Sequence, residues 1–160
     1  MLHAVNEFLH EYYMIVRRAT LDDLNTLAVL FDEYRQIYTA TSNLKRTTNF
    51  LQQRLENAET IIFVHIKNDE LTGFVVLYHG FSTVKCSRNY VLDDVYIRPM
   101  YRRQGAARQL IDTAILFSQH QGADVLSVDI LKSNAQAHQL YASMGFKAIE
   151  HLQHYERQLN

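Results

Sequence analysis

Between Asn89 and Phe117 the chain reads NYVLDDVYI, RPM, YRRQGAA and RQLIDTAILF in succession. The first run has the β-branched and aromatic content of a strand, and Pro99 ends it by removing a ladder donor. From Gly105 onward Ala107, Leu110, Ile111, Ala114 and Phe117 recur at helical spacing. A glycine turn that opens a helix leaves several N–H groups pointing one way, and the helix dipole adds partial positive charge there. With alanines at 106 and 107, an anion reaches those groups without striking a side chain, and Arg102 and Arg103 add charge-assisted contacts. A diphosphate fits that demand. The same residues also suit close packing at a solvated corner.

The rest of the chain sorts into short elements. Met14–Arg17 reads as a first strand, and Thr20 caps a helix running to Tyr38. A polar stretch over 39–48 precedes a second helix, FLQQRLENA, with Asn49 as its cap. IIFVHIKNDELTGFVVLYHG is patterned as an antiparallel hairpin turning at Asn68 and Asp69, with Gly73 marking a bulge or a close backbone approach. Asn89–Ile97 and Asp124–Leu131 are the fourth and fifth strands. A last helix, AQAHQLYASM, starts behind Ser133 and Asn134, and one or two terminal strands follow from Phe146. At 160 residues the chain suits a single domain over 14–160 with an extension over 1–13.

Composition removes several classes. Apolar residues are 48% and charged residues 21%, so a folded core is expected. A net charge of −1 and the lack of an extended basic stripe argue against nucleic acid and membrane as partners. The N-terminus has neither a basic n-region nor a long apolar run, which makes cytoplasmic the expected location. The single cysteine, Cys86, excludes an internal disulfide and is expected in or near the core. His151 and His154, three apart in an expected strand, would face opposite ways, so no metal is expected. Neither G-x-x-x-x-G-K-S/T nor G-x-G-x-x-G occurs, which excludes the usual nucleotide-binding loops.

Arg102, Gly105 and Ala107 match the order Arg or Gln, two residues, Gly, one residue, Gly or Ala, between a strand and a helix. NAQAHQLYASMGF supplies a second block at Asn134, Ala137, Leu140, Tyr141, Gly145 and Phe146. With these, the chain resembles the GNAT superfamily of acyl-CoA-dependent N-acetyltransferases, and LDDVYI is similar to a strand of its histone and polyamine acetyltransferase branch. The resemblance implies an α/β (α+β) fold: a mixed, mostly antiparallel central sheet of six to seven strands, about four helices, and splayed fourth and fifth strands.

It further implies acetyl-CoA as cosubstrate. Arg102, Arg103, Gln104, Gly105, Ala106 and Ala107 would cradle the diphosphate, and backbone groups of Val95 and Ile97 would pair with pantetheine. Asn134 would contact CoA, or serve only as a helix cap. Asp93 and Asp94 are candidate bases for a protonated amine, and Tyr141 is the candidate acid for the departing thiolate, although a tyrosine on an apolar stripe also suits plain packing. Strand alternation sends Asp93 and Asp94 to opposite faces, with different jobs; either could instead cap a loop or pair with an arginine. His79 is a lesser alternative base, and Asp32 and Glu33 are expected on a solvated helix face. The acceptor would be a polyamine, an amino acid, another small amine or a protein lysine. Pairing through HYERQL would give a homodimer, and a noncatalytic acyl-CoA sensor is the rival function.

Overall fold

The computed structural model describes residues 14–38 and 41–159; the extension expected over 1–13 lies outside them. They form two compact units, one running up to Asp129 and one from Ile130 onward.

The first unit holds a five-stranded sheet in chain order: β1 (Met14–Arg18), β2 (Ile61–Lys67), β3 (Glu70–Ser82), β4 (Ser87–Ile97) and β5 (Ala123–Val128). The first three pairings are antiparallel and β4–β5 is parallel. The β2–β3 turn falls on Asn68 and Asp69, both left-handed at φ 51° and 60°, as a two-residue hairpin loop requires. Three helices belong to this unit: α1 (Leu24–Tyr38), α2 (Leu44–Glu56) and α3 (Ala106–His120). A 3-10 turn, Leu21–Asp23, leads into α1, and the Arg17 guanidinium grips both Asp23 carboxylate oxygens at 2.7 Å, tying β1 to that entry.

The sheet is covered on both faces. Leu27, Leu30 and Phe31 of α1 and Leu51 of α2 bury against Ile62, Val64, Phe74, Val76 and Tyr96, and Phe31 stacks on Phe74 at 4.1 Å. On the other face Ala106, Leu110, Ile111 and Ala114 of α3 are buried, and Phe117 meets the edges of Phe63 and Tyr90 at 5.4 and 5.5 Å. Full burial of one such aliphatic side chain is worth about 1.5–3 kcal/mol. Ala106, at 3% exposure, faces inward in place of the expected Ala107.

Several expectations are corrected. α2 begins at Leu44, capped by Asn43 rather than Asn49, because buried Asp32 accepts from the Asn43 N–H at 2.9 Å and the Ser42 hydroxyl at 2.6 Å, organising the turn before it. Asp32 is therefore no member of a solvated face. Cys86 is exposed, at a left-handed φ of 51° in the tight β3–β4 turn. The described sheet has five strands, not six or seven: residues 146–159 carry no ladder, and Ile149, Leu152, Tyr155 and Leu159 are exposed. The fifth strand also stops at Val128, short of Leu131.

In the second unit α4 (Ala135–Ser143) starts where the Asn134 side chain accepts from the Ala137 N–H at 3.1 Å. Tyr141 is buried there, with its ring edge-on to Phe146 at 5.1 Å.

Candidate active site

β4 positions the site by doing two things at once. Its pairing with β5 runs from Arg88 to Leu92 and ends at Val128, whereas its pairing with β3 continues to Ile97. From Asp93 onward one edge of β4 is therefore without β5. The Arg98 N–H bonds to the Thr72 carbonyl at 2.9 Å, toward β3. Main-chain groups alternate sides along a strand, so those of Val95 and Ile97 point into the gap. The gap opens because β5 itself ends at Val128. The Ile97 carbonyl accepts from Arg102 Nε at 2.8 Å, and the same guanidinium lies over the Tyr96 ring at 5.9 Å. Arg102 thus braces the strand end as well as standing beside the following loop.

The second thing is a change of phase. Val76 pairs with Asp94 but Leu77 pairs with Leu92, so Asp93 is an extra residue on β4. A bulge of this kind breaks the alternation of faces. Tyr90 meets Phe117 of α3, and Leu92 shares that face; Asp94 and Tyr96 face α1, and Asp93 joins them. The expectation that the two aspartates face opposite ways is overturned: protonated Asp94 is in hydrogen-bonding reach of the Asp93 carboxylate.

Asp94 is half-buried and accepts a 2.5 Å hydrogen bond from the Tyr34 hydroxyl of α1. Burial pushes the Asp94 carboxyl up to about 6, the neighbouring Asp93 charge pushes the same way, and the Tyr34 bond opposes both. Burial and the bond to Asp94 raise Tyr34, so it stays a donor. Tyr78, paired with Val91 just ahead of the bulge, is raised by burial and then by both aspartate charges. Tyr34 in turn touches Tyr38, Phe74 and Tyr96 at 5.1, 5.8 and 5.8 Å. Tyr34 and Tyr78 were not picked out by sequence reasoning, although Tyr34 follows Phe31 by three residues on the apolar stripe of α1. His79 lies exposed on the opposite face of β3, paired with Tyr90, away from the acids.

Glu33, expected in solvent, holds the Arg98 guanidinium through Nε at 3.0 Å and Nη2 at 2.8 Å and accepts from the Tyr96 hydroxyl at 3.1 Å. Arg98 also reaches Glu70 at 2.8 Å, and Tyr101 donates to Glu70 at 2.6 Å. α1, the β3 start and the turn after β4 are thereby joined at one arginine.

Beyond a 3-10 turn (Pro99–Tyr101), Arg103 and Gly105 are left-handed at φ 63° and 88°. Gly105 has no side-chain cap, and an added Cβ would meet nothing within 4 Å. The glycine answers to backbone conformation, and the space above it stays open to a ligand. Arg102 and Arg103 are exposed there. The Gln104 side chain bridges Lys67 Nζ at 2.8 Å and the Met100 carbonyl at 3.1 Å. Asn134 and Tyr141 belong to the second unit.

The site thus combines a strand edge left unpaired beyond Leu92, a helix start with uncapped amides and a bulged acid pair. Residues 27–146 match the model of the acetyltransferase (GNAT) family, and the chain belongs to that family and is an acyltransferase enzyme. It is similar to YhfO, an uncharacterized N-acetyltransferase of Bacillus subtilis (strain 168), at 34% identity over 89% of this chain and 95% of that protein. It shares 26% identity with the thialysine N-epsilon-acetyltransferase of Caenorhabditis elegans, over 79% of each chain. A crystal structure of a probable acetyltransferase superposes with a TM-score of 0.87 at 30% identity, covering 91% of this chain and 98% of that one. Among the described residues no helix is long and apolar enough to cross a membrane.

Tyr34→Phe removes the donor to Asp94 while keeping the ring contacts. The expected result is a kcat reduced about tenfold with an acidic limb of the pH–rate profile moved upward, since the bond it deletes favours ionised Asp94. An unmoved profile would assign Tyr34 to packing alone.

Proposed function

We propose that the protein transfers an acetyl group from acetyl-CoA directly to a primary amine on a flexible alkyl chain, within a single domain over 14–160. The observation that carries this reading is the bulge at Asp93, which sets two carboxylates side by side next to the unpaired edge of β4.

The donor fits the residues present. Open space above Gly105 leaves the first amides of α3 accessible, where a diphosphate meets main-chain donors of residues 103–107 and the charges of Arg102 and Arg103. Val95 and Ile97 offer main-chain groups along the gap, and pantetheine takes the place of the missing strand there. Asn134, whose side chain caps α4, contributes from the C-terminal block. Acetyl-CoA supplies the activated acyl carbonyl; the Val95 N–H donates to the carbonyl oxygen as charge develops on it.

An alkylamine arrives protonated, with an ordinary pKa near ~10. Exposed Asp93 attracts the ammonium, and Asp94, raised to about 6, takes its proton directly or through water. Tyr34 and Tyr78 narrow the approach to that pair. Tyr141 protonates the departing thiolate. The named activity of the thialysine relative supports an acceptor with a terminal amine on an aliphatic stem.

Release of CoA thiol, followed while a panel of diamines, lysine analogues and a lysine peptide is added to protein and acetyl-CoA, tests the reading. Amine-dependent release is expected, and Tyr141→Phe is expected to lower kcat at least about tenfold with the CoA dissociation constant unchanged. Acetyl-CoA that fails to bind in calorimetry, or binds with no release for any amine, would sink the proposal.

A further inference from the structure

A cleft of about 330 Å³ opens beneath the last turn of α3. A 15-residue helix is roughly 20 Å long, so the cleft lies a helix length from Gly105, and it sits on the face of the sheet opposite Asp94. Tyr90 and Phe117 form its floor, with their rings edge-on at 5.5 Å. Phe81, 68% exposed, stands at its rim with the His79 ring against it at 6.0 Å.

Arg18 on β1 and Arg88 on β4 line the same cleft, and among the described residues no acidic side chain does. Among the described residues neither guanidinium meets a carboxylate; the ion pairs use Arg17, Arg35, Arg54 and Arg98. The contacts of Arg88 are the Tyr90 hydroxyl at 3.4 Å and the Phe81 ring at 5.5 Å. Arginines normally find carboxylate partners when they converge on a concave surface, since the planar fork matches two oxygens. Here two forks without counter-charge border an aromatic floor, and an exposed phenylalanine extends that floor to the mouth. Bare phosphate would satisfy the charges and leave the rings unused.

We propose that this cleft is a second ligand site, separate from the acyl-transfer centre, that takes an organic carboxylate with a flat apolar body. The carboxylate pairs with the Arg88 fork beside the Tyr90 hydroxyl, the body rests on Phe81 and Phe117, and Arg18 adds positive charge from the far end of the cleft. The site does not depend on the catalytic reading above.

The test is an amide chemical-shift titration of the full chain with benzoate, its neutral counterpart benzamide, and inorganic phosphate. Benzoate is expected to give saturable shifts clustered at residues 79–81, 88–90 and 117–121. Benzamide should bind at least about tenfold more weakly, because charge-assisted pairing is absent, and inorganic phosphate should leave those amides still. Arg88→Gln should weaken benzoate about tenfold and Arg18→Gln, farther off, several-fold; should Arg88→Gln fail to fold, Arg88→Lys, which loses the planar fork and is expected to bind several-fold more weakly, decides the matter. Scattered or unsaturable shifts, equal binding of benzamide, saturation by phosphate at the same residues, or Gln variants that bind like the parent would each overturn the site.

Discussion

Asp94→Asn should produce a protein that is more stable and nearly inactive. A carboxyl raised from an ordinary value near 3.8 to about 6 is harder to ionise in the folded chain than in the unfolded one. At 1.36 kcal/mol per unit the full penalty is roughly 3 kcal/mol, and partial solvent screening leaves about 1–2 kcal/mol. The penalty is absent below about pH 4, grows as pH rises through the interval to 6, and is complete above it. Asparagine keeps an oxygen for the Tyr34 hydroxyl and removes a charge from beside Asp93. Urea denaturation at pH 8 should therefore show the variant ahead, with the advantage gone at pH 4. On the proposed mechanism kcat falls at least about 100-fold at pH 8. Equal stability at both pH values would show that Asp94 is not held in a raised state. Retained turnover would move the base elsewhere.

Gly73→Ala should be strongly destabilising. Gly73 pairs with Ile97, and an alanine Cβ there would lie 2.4 Å from Ile97 Cδ1 and 2.5 Å from the Tyr96 carbonyl oxygen. The isoleucine tip can rotate away. The carbonyl cannot follow it, because β4 is pinned just beyond that point at Arg98, by its N–H to Thr72 and by the Glu33 fork on its guanidinium. Forcing the strands apart is expected to cost about 3 kcal/mol, read as a lower urea midpoint at unchanged m-value. It should also raise KM for acetyl-CoA, since the displaced segment carries Ile97 at the gap. A loss under about 1 kcal/mol would mean the two strands have slack there.

Period-two and period-3.6 patterns, with Asn68-Asp69 and Gly105 as punctuation, carried the element order and the phosphate-binding candidate. Those features are local. The phase of β4 is not: a strand that reads as continuous from Asn89 to Ile97 slips by one at Asp93, and only the register against β3 reveals it. The same holds for α2, whose first turn, Leu44–Thr48, has no apolar repeat and is organised by a carboxylate twelve residues upstream of Leu44. Glu33 read as a solvated charge because its partner, Arg98, is distant in sequence. Residues 146–159, whose composition reads as one or two strands, carry no ladder among the described residues.

The bulge in β4 divides recognition by direction. On the proposed reading the acyl donor is read in the plane of the sheet, chiefly by main-chain groups that no substitution alters, whereas the amine is read perpendicular to it, by side chains on the face of the sheet toward α1. Exchanges at Tyr34, Tyr78 or Asp93 can thus drift toward new amines while the grip on coenzyme A is inherited unchanged, which gives a small scaffold room to diversify its clients.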